Sequence, residues 1–165
     1  RGLYVLFHVE DRYVRATFTG YQSPVCEDSC VEFFVQPRPD GGYLNFEMNA
    51  IGAMLLYYVE DFACGRLAPV PESAIEDMRV YHSLPGPMAE ECAGPLDWTV
   101  ACFVPFGLLE RYTGPLGDPE GHEWRANFYK CADTSSHPHW ASWAPIGEEL
   151  SFHQPDAFGV IRFGC

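Results

Sequence analysis

Three sets of residues in this chain have the types and spacing to hold a ligand. Asn45, Glu47 and Asn49 alternate with Leu44, Phe46, Met48 and Ala50, so a β-strand there sets the polar three in a row about 7 Å apart on one face. Glu32 lies on the polar side of the preceding alternating run and adds a second carboxylate near that row. Arg125, Asn127 and Tyr129 repeat the pattern later in the chain. Carboxylate, amide and guanidinium groups suit the hydroxyls of a sugar, each of which donates and accepts. The same alternation also describes an ordinary solvated sheet face.

The third set is aromatic. The stretch His137-Pro138-His139-Trp140-Ala141-Ser142-Trp143 places two tryptophans in a long loop, and Phe152 and His153 follow before the last predicted strand. Exposed rings there either stack on the C–H face of a sugar or plug the core, Trp143 being the better candidate for the plug. His137 and His139 lack a clear third metal ligand, so zinc through them is disfavoured. Calcium suits oxygen-rich loops, with Asp28, Asp61 and Asp133 as candidates, although no spacing selects them. Glu32 and Glu47 on adjacent strands would also fit the carboxylate pair of a retaining glycosidase, roughly 5–5.5 Å apart. No G-x-S-x-G, phosphate loop or Cys/His nucleophile arrangement accompanies them.

The elements that must carry these residues are strands. Period-two alternation covers Leu3–Val9, Tyr13–Phe18, Val31–Val35, Tyr43–Ala50, Ala53–Val59, Trp98–Val104, Trp124–Cys131 and Phe158–Phe163. A short acidic turn near Glu72–Asp77, a strand near Arg79–Ser83 and a helical turn at Pro105–Leu109 complete the reading. The 14 prolines and 15 glycines, spread along the chain, suit many short strands. The expectation is an all-β fold: one antiparallel β-sandwich of jelly-roll or immunoglobulin-like type over residues 1–165, with eight or nine strands.

Formal net charge is −13, which opposes nucleic-acid and anionic-membrane partners. No apolar run has the roughly 18 residues of a membrane span. The seven cysteines form no C-x-x-C unit; Cys26 and Cys30 are close enough for a loop disulfide, while Cys102 and Cys131 fall inside strands as buried thiols.

Glu27–Pro37 with Tyr43–Gly52, Trp98–Leu109, and Trp124–Asp133 with Phe152–Phe163 together resemble the family 9 carbohydrate-binding modules, above all the family 9-like branch of Bacteroidetes. The resemblance implies a DOMON-like sandwich that binds a glycan, serves polysaccharide breakdown within a larger protein or system, and works in the periplasm or outside the cell. It implies no required cofactor, with structural calcium as an option. The family's sugar-holding carboxylate falls on Glu32 and its asparagine on Asn49, but its arginine position holds Glu47. Its two sandwiching tryptophans fall near Cys26 and Phe152, so Trp140 or Trp143 would have to supply a platform. Such domains also carry a strand ahead of Leu3, whose lack would leave a sheet edge open.

The expectation is therefore non-catalytic saccharide binding by Glu32, Glu47, Asn49, Asn127, Trp140, Trp143 and Phe152. The alternatives are a glycoside-active enzyme using Glu32 and Glu47, or a protein-interaction domain of the envelope. A haem-binding variant of the fold would use Met48 or His153 as axial ligand.

Overall fold

A computed structural model describes residues 1–164; Cys165 lies outside the described residues. Ten strands form two antiparallel sheets. The smaller sheet has the order β1 (Gly2–Val14), β7 (Cys92–Pro105), β6 (Arg79–His82). The larger runs β10 (Gly159–Arg162), β8 (Glu123–Cys131), β2 (Cys30–Gln36), β3 (Tyr43–Asn49), β4 (Met54–Asp61), β5 (Arg66–Pro69), and β9 (Trp140–Ser142) also pairs with β8. An eight-residue helix, α1 (Phe106–Thr113), follows β7.

The inner faces pack as the alternation requires. Val5, Trp98, Val100 and Val104 of the smaller sheet meet Val31, Phe33, Phe46, Met48 and Leu56 of the larger one. The outer face of the smaller sheet stays open, with Tyr4, Leu6 and Tyr81 exposed. β1 pairs with β7 along one edge, and among the described residues no strand pairs with its other edge.

Three elements differ from the sequence expectation. The two predicted N-terminal strands are one long strand, β1, whose register against β7 shifts between Asp11 and Tyr13; residues 15–20 then leave the sheet. The helical turn after Pro105 extends to Thr113. The long loop expected after Cys131 contains a short strand, β9.

The largest difference concerns the outer face of the big sheet. Every residue of β3, and all of β2 except Gln36, is buried. The returning segment 143–158 covers that face, and the row Arg125, Asn127 and Tyr129 holds it there. The Ala144 amide donates to Asn127 Oδ1 at 2.8 Å, and Asn127 Nδ2 donates to the Ala144 carbonyl at 3.1 Å. Tyr129 donates to the Phe152 carbonyl at 3.0 Å, and Arg125 donates to the carbonyls of Asp156 and Phe158. Phe158 closes a second apolar cluster with Phe34, Tyr43, Val59 and Tyr129.

Asp28 holds the other side of the cover. Its buried carboxylate accepts from the amides of Thr17 and Phe18, the Thr17 hydroxyl and Asn49 Nδ2, and pairs with Arg15 at 3.3 Å. Asn49 in turn shapes the β3–β4 turn, accepting from the Ala53 amide at 2.9 Å. Gly52 in that turn has a φ of +78°, and a Cβ there would lie 2.9 Å from the His82 ring. Replacing Asp28 by Ala would strand four hydrogen-bond donors and Arg15, so we expect a stability loss of about 3 kcal/mol. Urea unfolding checks this, and a loss below roughly 1 kcal/mol would show the hub to be dispensable.

Candidate functional site

Where the cover is incomplete it leaves a cavity of about 420 Å³, within the range of small-molecule sites. Its floor comes from the central strands. The register sets Glu32 of β2 directly opposite Glu47 of β3, and Cys30 of β2 opposite Cys131 of β8. Because side chains alternate, Cys30, Glu32, Glu47 and Cys131 all rise on the same, outer face.

Both carboxylates are buried, at 3% and 6% exposure. Glu47 accepts from Asn45 Nδ2 at 2.7 Å, and Glu32 accepts from the Cys131 thiol at 3.1 Å. Neither has a cationic partner among the described residues, and no lysine or arginine lines the cavity. Burial therefore pushes Glu47 up to about 7, with Asp133 adding to the rise and the Asn45 bond opposing it. Burial, then the neighbouring Glu47 and Cys131, holds Glu32 well above the usual carboxylate range.

Aromatic rings form the rim. Trp140 sits opposite Cys131 on β9, is 43% exposed, and is oriented by its indole N–H donating to Asp133 at 2.8 Å. Phe152 stacks on Tyr129 with centroids 4.1 Å apart. Phe62, at the tip of the β4–β5 hairpin, stacks on His153 at 3.7 Å and leaves its other face open, being 45% exposed.

Of the residues selected from sequence, the structure brings Glu32, Glu47, Trp140 and Phe152 to this cavity. It does not bring the other three. Asn49 and Asn127 are fully buried with their amides engaged by the chain itself, as described above. Trp143 points away from the cavity: it packs edge-on against Phe128 and lies over Gly159, where a Cβ would come within 2.5 Å of the ring. At 54% exposure it is not a core plug either.

Other expectations also change. Cys26 and Cys30 are free thiols rather than a disulfide. Met48 is buried in the main core, on the opposite face of β3 from the cavity, so it cannot share a haem with His153. His137 stacks on Tyr13, and His139 meets Lys130 Nζ at 2.9 Å, so they converge on no third ligand. Asp28 and Asp61 have oxygens already taken by protein donors, Asp61 by Arg66 and the Cys64 amide. Asp133, the third candidate, accepts from the Trp140 indole and lines the cavity, so the three carboxylates are held in separate places.

Phe62, Cys26, Cys131 and Asp133 line the cavity and were not among the sugar-contacting residues selected from sequence. Cys131 could have been placed there by counting alternation along Trp124–Cys131. Phe62 carries no periodic signal, since it lies in a turn.

A two-sheet sandwich with a small cavity, carboxylates at its floor and rings at its rim defines a ligand-binding domain. The family model for carbohydrate-binding family 9 matches residues 1–163, and the chain belongs to that family. Among solved structures, one from Bacteroides uniformis ATCC 8492, described as a "putative carbohydrate-binding protein", is 35% identical with a TM-score of 0.85. The match covers 98% of this chain and 74% of that one. No curated protein matches.

His153 gives the site wall an acid sensitivity. Its Nδ1 lies 2.7 Å from the Tyr43 hydroxyl, and burial lowers its pKa from 6.5 to about 4. The unfolded chain therefore binds this proton more readily than the folded one. The contribution is complete above about pH 6.5 and declines toward pH 4, by on the order of 2–3 kcal/mol. Urea unfolding of wild type and His153→Gln at about pH 7 and about pH 4.5 isolates the effect from that of the carboxylates. The variant should lose less stability on acidification; equal losses would contradict the assignment.

Proposed function

We propose that this domain binds a saccharide in the cavity between Trp140, Phe62 and Phe152 and does not alter it. The observation that carries the reading is the pairing of exposed rim rings with buried carboxylates beneath them. Rings take up the C–H face of a sugar, while Glu32 and Glu47 accept from its hydroxyls. Family membership and the description of the Bacteroides uniformis protein support the same ligand class. A glycan ligand would place the domain in the periplasm or outside the cell, as the glycan-holding part of a polysaccharide-degrading system.

Calorimetric titration with mono- and oligosaccharides tests this. We expect Trp140→Ala to weaken binding at least tenfold, because ring stacking contributes about 0.5–1.5 kcal/mol beyond the buried area. Trp143→Ala should leave affinity within about twofold, since its ring lies outside the cavity. Failure of every sugar to bind, or equal losses in the two variants, would overturn the reading. Release of a chromogenic aglycone that Glu32→Gln abolishes would instead make the domain a glycoside hydrolase.

A further inference from the structure

Glu32 and Cys131 at the floor of the cavity, with the fully buried Cys30 behind them, form a ligand set whose two thiols saccharide binding does not use. The two sulfurs of Cys30 and Cys131 and a carboxylate oxygen of Glu32 lie within 4.8 Å of one another, and all three residues are buried. We propose that these three residues hold a thiophilic divalent cation of the zinc class, with a fourth coordination position open to the cavity.

The backbone fixes this arrangement. Cys30 and Cys131 are cross-strand partners, and Glu32 stands two residues along on the same face of β2. A tetrahedral zinc ion takes sulfur at about 2.3 Å and carboxylate oxygen at about 2.0–2.2 Å, which sets its ligands roughly 3.5–4 Å apart. Side chains already within 4.8 Å reach that spacing by small torsional adjustments on strands that do not move. Two sulfurs select zinc over calcium or magnesium, which take oxygen ligands.

Charge supports the same assignment independently. Glu32 faces Glu47 across the register, Asp133 lines the same cavity, and among the described residues no lysine or arginine lines it. A dication that displaces the two thiol protons to solvent leaves the net charge of the floor unchanged but gives the buried Glu32 carboxylate the cationic partner it lacks. Three protein ligands leave one position free, the composition of zinc sites that also receive a water or a ligand oxygen. A sugar hydroxyl entering between Trp140 and Phe62 would reach it. Metal binding does not depend on sugar binding, so either can fail alone.

The test uses the whole chain, reduced and stripped of metal, titrated with Zn²⁺ and separately with Co²⁺. We expect one equivalent of each to bind, with Co²⁺ giving thiolate charge-transfer absorption and the visible bands of a tetrahedral site. Ca²⁺ should not compete. Cys30→Ser and Cys131→Ser should each weaken zinc at least 100-fold, while Cys102→Ser, a thiol buried in the main core, should leave it unchanged. Absence of the charge-transfer band in the wild type would overturn the proposal without recourse to a variant. So would a Cys30–Cys131 disulfide in the protein purified without reductant, or undiminished zinc binding by Cys131→Ser.

Discussion

The structure depends on the double burial of β2 and β3. A strand buried on both faces is ordinarily apolar on both, yet these strands present Glu32, Asn45, Glu47 and Asn49 to a covered outer face. Each buried polar atom there must find a partner or destabilise the fold. That requirement sorts the outer face into two groups. Asn45, Asn49, Asn127, Tyr43 and Tyr129 spend their polar atoms on the chain, fixing turns and holding the covering segment. Glu32 and Glu47 accept one protein hydrogen bond each and turn their remaining lone pairs to the cavity. The site is what the internal partners leave over.

The cover explains why the site is rigid at its floor and adaptable at its rim. The floor residues sit on three hydrogen-bonded central strands, so their spacing is that of the sheet. Phe152 and His153 belong to a segment held mainly by side chain to backbone bonds, and Phe62 to a hairpin tip. Changes in loop length or composition there would alter ligand shape without disturbing the carboxylate pair.

Much of this was legible from alternation, and the rest was not for identifiable reasons. The apolar row Leu44, Phe46, Met48 fixed the parity of β3, and hence put Glu47 beside Glu32. What alternation cannot reveal is whether a polar face is solvated or covered. The covering segment has no period, and its attachment through Asn127 and Tyr129 reads the same in sequence as a ligand contact. The two tryptophans show the same limit. Once β9 is recognised, period two sends residues 140 and 143 to opposite sides; read as an unstructured loop, the stretch leaves them equivalent. Tyr13–Phe18 failed differently: β1 runs through the irregularity at Asp11 instead of ending there, and Asp28 then draws the backbone at Thr17 and Phe18 out of the sheet.

The resemblance to family 9 modules gives the acidic floor its meaning. Where an arginine is implied, this chain has Glu47, opposite Glu32. An arginine there would neutralise Glu32 from within the protein and leave the pair free to exchange hydrogen bonds with a neutral sugar. With Glu47 in its place the two carboxylates raise each other's cost of ionisation, and burial leaves little water to screen them. Neutrality must then come from protons or from something that enters the cavity. Protons leave Glu32 and Glu47 able to donate as well as accept, which suits a hydroxyl-bearing ligand. A cation held by the two thiols and Glu32 would keep Glu32 ionised and offer a ligand oxygen a direct bond. With Glu47 where the resemblance implies an arginine, the positive partner of Glu32 would have to come from the contents of the site rather than from the chain.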